Sequence, residues 1–321
     1  MLKSVGRFLY IMIQTPYPKA CTLPNELIPV LKDRGLSFAN EEKAINYLTN
    51  IGYFRLSSYL RPLYNDPKSA HIFKVDATFE KAMSMYRFDR KLRILLFNEI
   101  EKIEVAIRSA MSNTVSSELG NIFWMTDQSN FSNQRFFDET LNIITSELGK
   151  TKEEFILHFK RTYSNTYPPA WMIAEILPLG VICKIYQNLK KESLKKKIAR
   201  QFGLNVPVMS SWILVLGNLR NYCGHHSRIW NREIAITPSD PRNPIYKWID
   251  ITKTDNRRLY CRISIIKYFL CSISPENTFK AKLIDLFSKY PTIDKAAMGF
   301  PQDWESEPLW DIYPQKQNVK Y

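Results

Sequence analysis

Between Thr78 and Ser116 the apolar residues Phe79, Met83, Tyr86, Leu96, Ile100, Ile103, Ile107 and Ala110 return at the three- and four-residue spacings of one helix face. This stretch predicts the longest helix of the chain, and a core helix. No series of alternating apolar and polar residues appears elsewhere, so helical periodicity dominates and the expected class is all-α. With 321 residues, 45% of them apolar and 13% aromatic, the chain can bury a substantial core.

Other helices are expected over residues 24–34, 41–50 (with Asn40 as cap), 132–148, 151–163 and 255–273. Trp171 opens an apolar helix that Pro178 and Gly180 should kink. In SPENTFKAKLIDLFSKY, Ser274 reads as a cap with Pro275 at the first helical position. The segment YNDPKSAHIFKVDAT reads as a linker, which sets an N-terminal helical lobe at residues 1–65 apart from a main helical domain at 66–321. ITPSDPRNP is an exposed loop, and the Pro- and Trp-rich tail is expected to pack on the body or on a partner.

A formal net charge of +14 favours an anionic partner. Nucleic acid ranks ahead of membrane, because no long apolar span is present; the N-terminal run FLYIMI is too short to cross a bilayer, and no small-x-small cleavage site follows it. Five cysteines without a CxxC pair suit free thiols in a reducing cytoplasm, and Cys223 reads as a small buried residue. The run LKKESLKKKIARQFGL carries Lys190, Lys191, Lys195, Lys196, Lys197 and Arg200, either as a solvated helix face or as a patch for an RNA backbone. Nucleotide loops, GxSxG elbows and HExxH pairs are absent, and no metal site or cofactor is expected.

The stretch that carries chemistry is RNYCGHHSRIWN, directly after the apolar SWILVLGNL. Arg220 is a fixed cation suited to a scissile phosphate, and His225 a group that exchanges protons near neutral pH. Together they supply what metal-free RNA cleavage needs. Five residues apart on a regular helix they diverge by about 140°, whereas Asn221 and His225 share a face. Convergence on one phosphate then requires a distortion at Gly224, a long reach by Arg220, or a second copy of the motif; the first and last together are the expectation. Arg228 and Arg232 add positive charge nearby. On the long helix Asp89, Arg90 and Arg93, and Glu101, Glu104 and Arg108, read as solvated salt bridges, with Glu101 or Glu104 as a sharper candidate to orient Arg220.

The blocks AINYLTNIGYFRLSSYLRPL, ATFEKAMSMYRFDRKLRILLFNEIEKIEVAIRS, PPAWMIAEILPLGVICKIYQNL and SWILVLGNLRNYCGHHSRIWNRE, with a tail containing MGFPQDW and PLW, resemble the Abi-like abortive-infection proteins of the HEPN ribonuclease superfamily. The resemblance runs from about residue 20 to 310. It implies a HEPN-like helical bundle and a site of the form Arg, polar residue, several residues, His, matched by Arg220, Asn221 and His225; the divergence of Arg220 and His225 on one helix adds the expectation of a homodimer. It also implies a role in phage defence or in a toxin–antitoxin-like pair, for which a regulatory small RNA or antitoxin is a further candidate partner. The alternative is a non-catalytic RNA-binding or regulatory module of such a system.

Overall fold

The computed structural model of the chain describes residues 16–17, 20–311 and 316–317. The run FLYIMI lies outside them. Among the described residues there are twelve α-helices and no strands, only isolated β-bridges, so the fold is all-α. No single helix among them is long and apolar enough to cross a membrane.

Two compact units divide between Met83 and Ser84. In the first, α1 (Pro24–Asp33), α2 (Glu41–Ile51) and α3 (Tyr53–Leu60) surround Ile28, Leu31, Ala44, Leu48, Leu56 and Tyr59. Asn40 caps α2 as expected, its side chain accepting the Lys43 amide at 2.7 Å. α3 is a helix that the sequence reading, with its helix ending at residue 50, does not expect. What separates it from α2 is Gly52, whose φ of 87° is open to glycine and strained for other residues.

The presumed linker is not one. Tyr64 and Phe73 are buried with ring centroids 4.6 Å apart, Asn65 donates its amide to Ile72, Lys74 to Leu63, and Ser37 to Ala77. Burying two aromatic rings outweighs the turn-forming residues around them. The segment belongs to the first unit, and the division falls inside the next helix rather than after residue 65.

That helix, α4 (Phe79–Leu119), spans 41 residues, about 60 Å. Within the second unit Phe88, Leu92, Leu96, Ile100, Ile103, Ile107, Met111 and Val115 form its fully buried stripe. Then come α5 (Gln134–Lys150), α6 (Glu154–Thr162), α7 (Ala170–Ile176), α8 (Leu179–Asn188), α9 (Glu192–Gln201) and α10 (Val206–Gly224), followed by α11 (Leu259–Ile273) and α12 (Phe279–Lys289).

The kink expected at Pro178 is a complete break between α7 and α8. Proline forces the preceding residue out of the helical region, and Leu177 sits at ψ 141°. Ser274 also differs from expectation. It closes α11, its amide bonded to Leu270, and α12 starts later, after Thr278, because Pro275 has no amide to continue the earlier helix.

Every residue of α11 from Leu259 to Cys271 is buried, which makes it the centre of the second unit. α10 packs against α8 and α11, with Trp212 ringed by Trp248, Tyr268 and Phe269. The tail docks on the body. Trp310 donates its indole N–H to the Tyr260 hydroxyl, and Phe300 and Trp304 pack edge-on against Phe287.

Glu99 is buried on α4 and accepts hydrogen bonds from Lys102 at 2.7 Å and Lys282 at 2.9 Å. Burial pushes its carboxyl up, but the two ammonium groups outweigh this and hold it below its ordinary 4.5. A depressed carboxyl contributes stability above its ordinary value, and that contribution is lost as pH falls through the depressed one. The melting temperature of the wild type should therefore drop more steeply below about pH 4.5 than that of Glu99→Gln. Superimposable curves would remove Glu99 from the acid response.

Candidate active site

The motif ends a helix, and the end is what arranges it. Asn205 opens α10 by accepting the Val208 amide, and an apolar run carries the helix inward until Leu219 and Cys223 face the core. Burial pushes the Cys223 thiol up to about 12, so it stays protonated and inert. Arg220, Asn221, Gly224 and His225 then fall on the partly or fully exposed side.

Gly224 is the last helical residue and has no left-handed backbone, and a Cβ there would meet only the Phe97 ring, at 3.7 Å. The distortion expected at this glycine therefore occurs two residues later. His225 is the C-cap at φ −86°, ψ 11°, and His226 takes the left-handed conformation at φ 57°. The amide of His226 bonds the Cys223 carbonyl and that of Ser227 the Tyr222 carbonyl, a Schellman closure made with histidine where glycine is usual. His225 itself still donates its amide to the Asn221 carbonyl at 2.9 Å, so it stays in helical register and the turn redirects the backbone that follows it.

Arg220 is steered from α4. Its Nε lies 3.8 Å from Glu104 Oε2, and its guanidinium sits over the Phe97 ring, 5.6 Å from the centroid. Glu104 is itself buried and paired with Arg108, which also donates to the Leu177 carbonyl at 2.8 Å. Arg108 holds this carboxylate in place, and Arg220 meets it as an ion pair without a hydrogen bond, its Nε being buried and unpaired. Glu101 is exposed and is not among the ion pairs of the described residues. The arginine keeps 39% of its side chain exposed, so part of the guanidinium remains open to an incoming anion.

Sequence reasoning missed three contributors, Phe97, Asp89 and Arg93. Phe97 carried no signal beyond its place in the periodic helix. Asp89 and Arg93 were read as solvated, yet the structure buries both, because they face the backbone that follows the motif rather than water. Asp89 accepts the Ile229 and Trp230 amides at 3.1 and 2.7 Å. Farther on, Arg232 stacks 4.1 Å above the Tyr222 ring and donates to the carbonyl of half-buried Arg228.

Of the basic run, Lys190, Lys191, Lys196, Lys197 and Arg200 are exposed and Lys195 is half-buried. Lys195 pairs with Glu192 and Lys197 with Glu118. Lys196 and Arg200 line a groove of about 260 Å³ with Leu204, Asn205 and Pro207. Gln201 meets Thr114, so α9 lies against α4 about 15–20 Å along that helix from Glu104. The lysines and Arg220 thus belong to the same unit but not to one pocket. Among the described residues no group of three or more His, Cys, Asp or Glu side chains is placed to hold a metal ion.

No curated protein and no solved structure matches the chain. A family model described as Abi-like protein matches residues 46–231, more than half the sequence, from α2 through the turn that carries His225 and Asp89's two amide donors. The blocks at residues 298–310 lie beyond that match. The chain belongs to the Abi-like protein family.

Proposed function

We propose that this protein is a metal-independent endoribonuclease of HEPN type acting in bacterial abortive infection, on RNA in the cytoplasm. The observation that carries the reading is Arg220, oriented by buried Glu104 and still partly open, close in sequence to the exposed His225 where the helix ends. Arg220 binds the scissile phosphate and offsets the charge that develops on it. The 2′-hydroxyl attacks phosphorus and loses its proton, the bond from phosphorus to the 5′-oxygen breaks, and that oxygen gains a proton. A 2′,3′-cyclic phosphate and a 5′-hydroxyl result. His225 serves one of the two proton transfers, and Asn221 orients it or the phosphate.

A homodimer supplies the second copy of the motif. Ile94, Phe97 and Val105 on α4 and Leu214 on α10 are exposed, and the first three share a stripe with Glu101 on the helix that steers Arg220. A two-fold axis through that face would bring two His225 side chains into one cleft. A regulatory small RNA or antitoxin would hold such an enzyme in check.

One observation favours the alternative of a non-catalytic RNA-binding or regulatory module: among the described residues no group hydrogen-bonds the His225 imidazole to fix its tautomer. Incubating the purified protein with RNA in excess chelator separates the two. Cleavage that persists, leaving cyclic phosphate ends, supports the enzyme; cleavage restored only by magnesium overturns the metal-independent mechanism, and RNA binding without cleavage under every condition favours the module.

The lysine helix has its own test. Neutralising Lys195, Lys196, Lys197 and Arg200 together should weaken binding of unrelated RNAs alike and lower the salt slope by about two to three, with the dimer mass unchanged. The expected slope change is below four because Lys195 and Lys197 already face carboxylates. An unchanged salt slope would remove this helix from the RNA path.

A further inference from the structure

We propose that the buried Asp89 and Arg93 pair of α4 is a positioning device for His225, clamping the turn that presents this histidine. The proposal rests on reading His225 as the proton carrier. With His226 in the left-handed region, the turn holds a conformation that a side chain disfavours. The turn's own Schellman bonds close it, and contacts from outside hold the backbone that leaves it.

Three such contacts come from α4. Asp89 is fully buried, and its Oδ1 accepts the consecutive amides of Ile229 and Trp230. Arg93, one turn on, pairs with Asp89 and extends Nη1 to the Ser227 carbonyl at 3.3 Å. Carboxylate and guanidinium thus hold the 227–230 backbone at three points, with Ile229 and Trp230 buried at the anchor. The His225 imidazole has no hydrogen bond of its own among the described residues, so backbone attachment is what places it.

Neutral groups reproduce only part of this. An asparagine at 89 keeps an oxygen for the amides but leaves Arg93 buried without its counter-charge. Asp89→Asn should therefore lower kcat for RNA cleavage by about tenfold or more with KM within about threefold, since the pair does not touch RNA. Arg93→Lys should retain more activity than Arg93→Met. A readout independent of cleavage is the imidazole ¹³C–¹H spectrum of histidine-labelled protein, with the His225 signal assigned by its loss in His225→Gln. The wild type should give one narrow signal, and Asp89→Asn, kept below its melting transition, a broadened or split one.

A folded Asp89→Asn with wild-type kcat and a wild-type His225 signal would overturn the clamp and leave the pair a stabilising feature only. If the wild type cleaves no RNA, the ribonuclease reading falls, and the His225 signal still decides the clamp. An unchanged signal rejects it there too.

Discussion

Replacing His225 with alanine should abolish RNA cleavage, a loss on the order of 10²–10⁴-fold, while RNA affinity stays within about threefold. A neutral imidazole contributes little to phosphate binding, and His225 is exposed at the end of α10, where truncation leaves no cavity. Arg220→Ala should behave differently. A guanidinium makes charge-assisted contacts in the ground state as well as in the transition state, so both affinity and rate should fall. Its loss also leaves Glu104 without one of its two cations, Arg108 being the other. Filter binding beside single-turnover cleavage separates the two variants. Equal loss of RNA binding in both, with folding intact, would contradict this division of roles.

The largest stability effect is expected at Arg262. This arginine is fully buried on α11 and donates to four carbonyls: Asn256 at 2.8 Å, Arg258 at 2.7 Å, Ile234 at 3.2 Å and Ile236. The planar fork ties the segment following the motif to the central helix. Removing it strips hydrogen bonds from buried acceptors, each costing about 1–3 kcal/mol when left unmet. Arg262→Met should therefore destabilise by about 3–5 kcal/mol, lowering the urea midpoint by about 1–2 M. Arg262→Lys should recover less than half of this, because three donors on a point charge cannot span the same acceptors. A methionine variant as stable as wild type would mean that water or backbone movement meets those carbonyls.

Much of the fold was legible where periodicity is long. The α4 stripe, the Asn40 cap and the presence of α5 and α6, each within three residues of its expected ends, follow from spacing and capping chemistry, which act within a few residues. The errors fall where a distant group decides. Pro178 breaks the chain rather than bending it because Leu177 is pushed to an extended backbone, and YNDPKSAHIFKVDAT joins the first unit because Tyr64 and Phe73 find each other. Turn-forming residues advertise a loop, but not whether the loop is buried.

The candidate site divides in the same way. The sequence by itself determined the helical class, the basic character, and the pairing of an arginine with a histidine at positions 220 and 225 that the proposed function uses, since these depend on residue type and near-neighbour spacing. Only the tertiary structure decided that Glu104 rather than Glu101 faces Arg220, that Phe97 lies beneath its guanidinium, and that the chain turns at His226 instead of Gly224. It also decided that Asp89 and Arg93 are buried against the turn. Two acidic residues three apart on one helix have the same local signature. Which one becomes a buried partner depends on the helix packed opposite, and that contact joins residues more than a hundred positions apart, beyond the reach of any local pattern.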